Sequence, residues 1–251
     1  MSSGYILPRL FLVASLLMSG CDKEEPIPDP TPDPQANTVV ALQVLHRYGG
    51  ASFDLAGTWP DAVGTSLKFT QVRYYIGSPV FQDDVGDTVQ AFAGKYLLIS
   101  AASNAIQVMG ELHGHLHTMG FGLGVDSVLN HQDPTLAAPP LNDATMHWNW
   151  NPAQGYKFLV LEGRYDDDGT GVVDADDPEF VYHCAGDALH RNTSVEVHTD
   201  ALTGGNLALT LHMDMQVLLQ GVDVAASPIV MAPTGTAVTL MNNLRNAFTH
   251  P

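Results

Sequence analysis

From position 37 onward the apolar residues alternate with polar ones or gather in short runs, and Gly, Pro, Asn and Asp separate the runs. A period of two places successive side chains on opposite faces of an extended chain, so the pattern predicts strands rather than helices. Strands are expected over residues 39–47, 67–76, 95–101, 106–121, 157–163, 179–184, 193–199 and 206–219. Only residues 237–248 (AVTLMNNLRNAF), preceded by Pro233 and Gly235, read as a helix. A string of short strands closed by one helix predicts an all-β fold, a β-sandwich with long functional loops and a short C-terminal helix. Residues 130–154 (NHQDPTLAAPPLNDATMHWNWNPAQ) form a long irregular loop between strands. In compact domains loops of that length are usually functional.

The amino-terminal segment has a different logic. Arg9 precedes an apolar run at residues 10–18 (LFLVASLLM), followed by Ser19, Gly20 and Cys21. The run is too short to span a bilayer, and small residues precede the cysteine, as in a lipoprotein-type signal. The expected organisation is a signal peptide at 1–20, a lipidated Cys21 opening a tether at 21–36, and a folded domain at 37–251. The tether alternates Pro with acidic residues (DKEEPIPDPTPDPQA) and should be stiff and extended. The expected location is therefore a periplasmic or cell-surface lipoprotein, anchored to a membrane through Cys21, in either the inner or the outer membrane.

Charge and composition narrow the function. Ten Lys and Arg against 27 Asp and Glu give a net charge of -17, and the basic residues are scattered singly. Such a surface repels phosphates, which excludes a nucleic-acid partner. Two cysteines exclude a disulfide framework, and a lipidated Cys21 leaves Cys184 free or available to a metal. Eleven histidines, all after residue 45, direct attention to metal binding, since imidazole is the commonest metal ligand.

Three constellations carry chemistry. His113, His115 and His117 alternate, so on one strand their imidazoles would share a face, a geometry suited to metal when a further ligand comes from elsewhere. The long loop offers His131, Met146, His147, Trp148 and Trp150, and a later strand adds His183 and Cys184; soft sulfur with imidazole suits copper better than calcium. The acidic run 166–177 (DDDGTGVVDADD) spaces Asp166, Asp168, Thr170, the Val172 carbonyl, Asp174 and Asp177 as in an EF-hand calcium loop, with Gly171 at the sharp turn. Asp in place of the usual Glu at the last position shortens its reach. No Gly-rich phosphate loop, HExxH or GxSxG motif is present.

Residues 121–163 (FGLGVDSVLNHQDPTLAAPPLNDATMHWNWNPAQGYKFLVLEG) are more specific: GLGV, N-H, M-x-W-x-W, G-Y-K-F-L and L-E-G follow in order. With RYYIGSPVF at 73–81, the strand ending in His183 and the C-terminal NN-x-x-NAF-like helix, this sequence resembles the MbnP family of exported copper-binding proteins, relatives of MopE and CorA, over most of residues 38–250. The resemblance implies a β-rich exported protein that binds copper through histidine and through a kynurenine made by oxidising a tryptophan. It also implies a partner, a di-haem cytochrome c peroxidase-like protein, that performs the oxidation. Carried over by position, Trp148 and Trp150 match the family tryptophans, and His131 and His183 match recurring histidines, with His147 a weaker candidate. An oxidising partner would favour an exposed indole on a loop.

Three readings follow: a copper-binding lipoprotein for acquisition, storage or delivery; a calcium-dependent interaction module centred on the acidic loop; and a zinc or copper metalloenzyme using His113, His115 and His117.

Overall fold

The computed structural model describes residue 1 and residues 36–149, 151–202, 204–233 and 235–251. The expected signal peptide beyond Met1, Cys21, the tether up to residue 35 and Trp150 lie outside the described residues. In chain order the strands are β1 (Thr38–Tyr48), β2 (Ala51–Ser52), β3 (Trp59–Pro60), β4 (Ser66–Gln82), β5 (Thr88–Ala91), β6 (Tyr96–Ser100), β7 (Gln107–Leu112), β8 (Gly114–Leu123), β9 (Lys157–Tyr165), β10 (Glu179–Ala185), β11 (Arg191–Ala201), β12 (Gly205–Asp214), β13 (Ile229–Val230) and β14 (Phe248–Thr249). The α-helices are α1 (Ser127–Asn130), α2 (Met215–Leu218) and α3 (Thr236–Asn246).

The strands form the two sheets of an all-β sandwich. One sheet runs β14-β12-β1-β2, with β7 also on β1; the other runs β11-β8-β4-β9-β10-β13, with β3, β5 and β6 also on β4. The period of two locates the core: Val40, Leu42 and Val44 of β1 are buried, and so are Leu209, Leu211 and Met213 of β12, which lies parallel to it. Leu67 and Phe69 start the inward face of β4; a register shift between Phe69 and Gln71 then hands that face to Val72, Tyr74 and Ile76. In α3, Ala237, Leu240, Met241 and Leu244 are buried at helical spacing. Among the described residues no helix is long and apolar enough to cross a membrane.

Three expected elements differ from the observed ones. The strand predicted to end at Ile76 runs through Gly77, Ser78 and Pro79 to Gln82, because the register against β8 shifts between Gly77 and Val80 and Ser78 takes a φ of 47°. A bulge absorbs residues that would otherwise end a strand. The strand predicted over 206–219 stops at Asp214, whose side chain accepts the Gln216 amide and starts α2.

The third difference changes a candidate site. Residues 106–121 are not one strand: β7 ends at Leu112 in the first sheet and β8 begins at Gly114 in the second, with Gly114 at φ 146°. His113 stands at this corner and only His115 and His117 occupy β8, so the three imidazoles do not share one strand face.

Candidate metal centre

The loop leaving β8 is built on Asp126 and Asn130. Asp126 accepts the amides of Val128 and Leu129 at the start of α1. Buried Asn130 donates from Nδ2 to Asp187 Oδ1 (2.8 Å) and accepts the Tyr156 amide on Oδ1 (2.8 Å), tying both ends of the loop to the segment after β10. Gly155 is required there: its φ is 69°, and a Cβ would lie 2.2 Å from Asn130 Oδ1. Between these anchors the loop contains 3₁₀ turns at Pro134–Leu136, Ala144–Met146 and Pro152–Gln154. Arg73 of β4 holds the middle turn, donating to Thr145 Oγ1 (2.7 Å) and pairing with Asp143.

That scaffold places Trp148 against β10. The Trp148 ring meets His183 edge-on with centroids 6.5 Å apart, and its amide bonds to Gly155 O at 3.0 Å. Trp148 is 1% exposed, which corrects the expectation of a solvent-facing indole at this position. His147 is also buried; its Nδ1 bonds Asn149 Oδ1 at 3.0 Å and its ring meets Tyr156 edge-on at 5.3 Å. Met146 is fully buried in the core.

His183 has the arrangement of a metal ligand. Its Nε2 lies 2.7 Å from Glu162 Oε1, on the neighbouring strand β9, while Nδ1 is buried and has no hydrogen-bond partner among the described residues. When Nε2–H donates to the carboxylate, the tautomer is fixed and Nδ1 keeps a lone pair. Burial lowers the His183 pKa and the Glu162 hydrogen bond works against that fall. A depressed value favours the neutral ring, the form that binds metal.

His131 lies elsewhere in the same region. It is exposed, and its Nε2 bonds Asp187 Oδ2 at 3.0 Å. Against the cost of burial, hydrogen bonds from Asn130 and His131 hold Asp187 below the usual carboxylate range. Cys184 is buried within the core cluster, where it packs as a small apolar residue, and burial pushes its thiol up to about 12.

The remaining candidates separate into two groups. His113 Nδ1 bonds the Ala36 carbonyl (3.2 Å), while His115 and His117 of β8 both face Asp84, at 3.3 and 2.9 Å. In the acidic loop Asp166, Asp168 and Asp177 converge with carboxylate oxygens within 4.8 Å of one another. Asp166 also accepts the Gly169, Thr170 and Gly171 amides, and these bonds lower its pKa, the Gly171 bond most. The Thr170 hydroxyl bonds the Val172 carbonyl, and Asp174 accepts the Asp176 amide, so those three expected positions are engaged within the loop.

Sequence reasoning missed Glu162, Asp187, Asp84 and His198. Glu162 was visible in the L-E-G motif, but only the strand pairing shows that it faces His183.

No curated protein matches the sequence. The fold is similar to that of MbnP from Methylosinus trichosporium, with a TM-score of 0.56 over 80% of this chain and 87% of that one; at 15% identity the likeness concerns the fold alone. A family model described as MbnP matches residues 37–232, so the chain belongs to the MbnP family, with a copper-related, metal-binding role at the level of the family.

Proposed function

We propose that the protein is an exported copper-binding lipoprotein for acquisition, storage or delivery, with copper as its cargo. The observation that carries this reading is His183: a buried imidazole whose ring stands edge-on to Trp148, with one nitrogen held by Glu162 and the other without a hydrogen-bond partner among the described residues. Imidazole suits copper, and a carboxylate behind the ring raises its basicity. The family context favours binding over turnover.

His183 is the buried ligand in this reading, His131 an exposed one now hydrogen-bonded to Asp187, and His147 an auxiliary one. A tryptophan, Trp148 or Trp150, supplies further donors after oxidation to kynurenine, whose aryl amine and carbonyl add nitrogen and oxygen. Trp148 already stands edge-on to the His183 ring, so its ring-opened form would add those donors near this histidine. The oxidant is a di-haem cytochrome c peroxidase-like partner, and Cys21 provides the membrane anchor for a periplasmic or cell-surface location.

The acidic loop supports a companion role for calcium, because Asp166, Asp168 and Asp177 converge at the first, third and twelfth positions of the motif.

Copper stoichiometry tests the main reading. Alanine at His183 or His131 is expected to weaken copper binding at least tenfold, about 1.4 kcal/mol. Wild-type affinity in both variants would overturn it.

A further inference from the structure

We propose a second metal site, for a divalent first-row cation such as Zn²⁺ or Cu²⁺, formed by His117, His198 and Asp84 with His115 at its margin. The three principal side chains come from three separate segments. Asp84 lies in the β4–β5 hairpin, where Asp83 accepts the Val85 and Asp87 amides and so shapes the turn beneath it. His117 lies on β8 and His198 on β11.

A bulge brings the two imidazoles together. Glu196 pairs with Thr118 and Thr199 with Leu116, so Val197 and His198 together oppose His117 alone. His198 takes a φ of 37°, uncommon for a residue with a Cβ, and its ring meets that of His117 edge-on with centroids 4.2 Å apart. An extra residue in one strand re-aims a side chain, here toward the facing histidine.

One ligand atom from each of Asp84, His117 and His198 lies within 4.8 Å of the other two. Around a tetrahedral cation with bonds of about 2.0–2.1 Å, donors stand about 3.3 Å apart, so small side-chain rotations close the set. Rotation is cheap for these side chains, since His198 and Asp84 are exposed. Asp84 also reaches His115 Nε2 (3.3 Å), whose Nδ1 bonds Asp200 Oδ1 (2.7 Å). Two imidazoles and a carboxylate, with an open side toward water and a third imidazole in reach, suit Zn²⁺ and Cu²⁺ and not Mg²⁺ or Ca²⁺. The site would fasten the β4–β5 hairpin to the edge strand β11.

This site is independent of the copper reading, and the test keeps them apart. In a His131→Ala/His183→Ala background, chelator-treated protein is titrated separately with Zn²⁺, Cu²⁺ and Ca²⁺, alone and with each of three further substitutions. One equivalent of Zn²⁺ or Cu²⁺ is expected to bind, at least tenfold more weakly with Asp84→Asn or His198→Asn; Asn tolerates the positive φ at 198, and circular dichroism checks the fold. His113→Ala is expected to leave binding unchanged, because His113 lies at the corner between sheets. No Zn²⁺ or Cu²⁺ binding, binding of Ca²⁺ only, undiminished affinity in both cluster variants, or equal loss in His113→Ala would overturn the proposal.

Discussion

Glu162 and His183 meet across the β9–β10 pair, Oε1 to Nε2 at 2.7 Å, as diagonal neighbours: Glu162 lies directly opposite Val181, two residues before His183. A carboxylate in this position orients the ring and makes its other nitrogen a better donor. Glu162→Gln is expected to weaken copper binding about 10- to 100-fold while leaving the fold intact. Competition against a chelator of known affinity measures this, and unchanged competition would remove Glu162 from the site.

His46 predicts how the fold responds to acid. Its ring is buried between Phe53 and Tyr74, Nε2 lies 3.2 Å from the Tyr74 hydroxyl and Nδ1 has no hydrogen-bond partner among the described residues. Burial lowers its pKa to about 4 from 6.5. Above pH 6.5 the ring is neutral in both folded and unfolded chains; between about 6.5 and 4 the unfolded chain binds the extra proton, so stability falls with falling pH. The loss is about 3 kcal/mol across that window. His46→Gln should flatten this slope in urea titrations taken between those limits, and a slope equal to wild type would place the acid sensitivity elsewhere.

The longer strands are legible because their alternation is a local property, and α3 because its buried residues keep helical spacing, whereas the short strands β2, β3, β5, β13 and β14 carry too few residues to show a period. The bulge that carries β4 past Gly77-Ser78-Pro79 was not legible, since those residues read as a turn until β8 is seen to absorb the register shift. The break at His113 was hidden for a related reason: one glycine in a strand pattern does not say that the chain changes sheets. The sequence nominates His183 and Trp148 for the candidate centre, whereas Glu162 and Asp187 there, and His198 in the second cluster, depend on which strands and loops become neighbours. No motif marks His198 in the sequence, and only the bulge against β8 brings its ring to His117.

Arg73 ties the loop between β8 and β9 to the central strand β4. It is mostly buried, pairs with Asp143 and donates to Thr145 Oγ1. Arg73→Ala leaves a partly buried carboxylate without its cation, at a cost of about 1–3 kcal/mol. The loosening should appear as faster amide exchange over residues 141–149, with the β1–β12 pair still protected. Uniform acceleration across both sheets would mean global destabilisation instead.

For the acidic loop, a cation would offset the repulsion among Asp166, Asp168 and Asp177, whose ligand atoms lie within 4.8 Å of one another. Calcium at about ten times its dissociation constant adds about 1.4 kcal/mol, which for a domain of this size raises the melting temperature by about 3–6 °C. Asp168→Asn should reduce that shift. Identical melting curves in millimolar calcium and in chelator would reduce the loop to a self-bonded turn.

The tryptophan modification is decided by mass. Opening an indole to kynurenine is a four-electron oxidation in which peroxide, used through the di-haem partner, supplies oxygen and is reduced to water while one ring carbon leaves as formate; the side chain exchanges that carbon for one oxygen, a gain of about 4 Da. Protein from its native host should carry that gain on Trp148 or Trp150, and protein made without the di-haem partner should retain both indoles and bind copper more weakly. Trp148 is buried beside the His183 ring, so a change there would add donors near this histidine and would require the oxidising equivalents to arrive through the protein rather than by direct contact. Peptide mapping across residues 142–157 distinguishes the two positions. Two intact indoles in fully copper-loaded native protein would show that the metal is held without kynurenine.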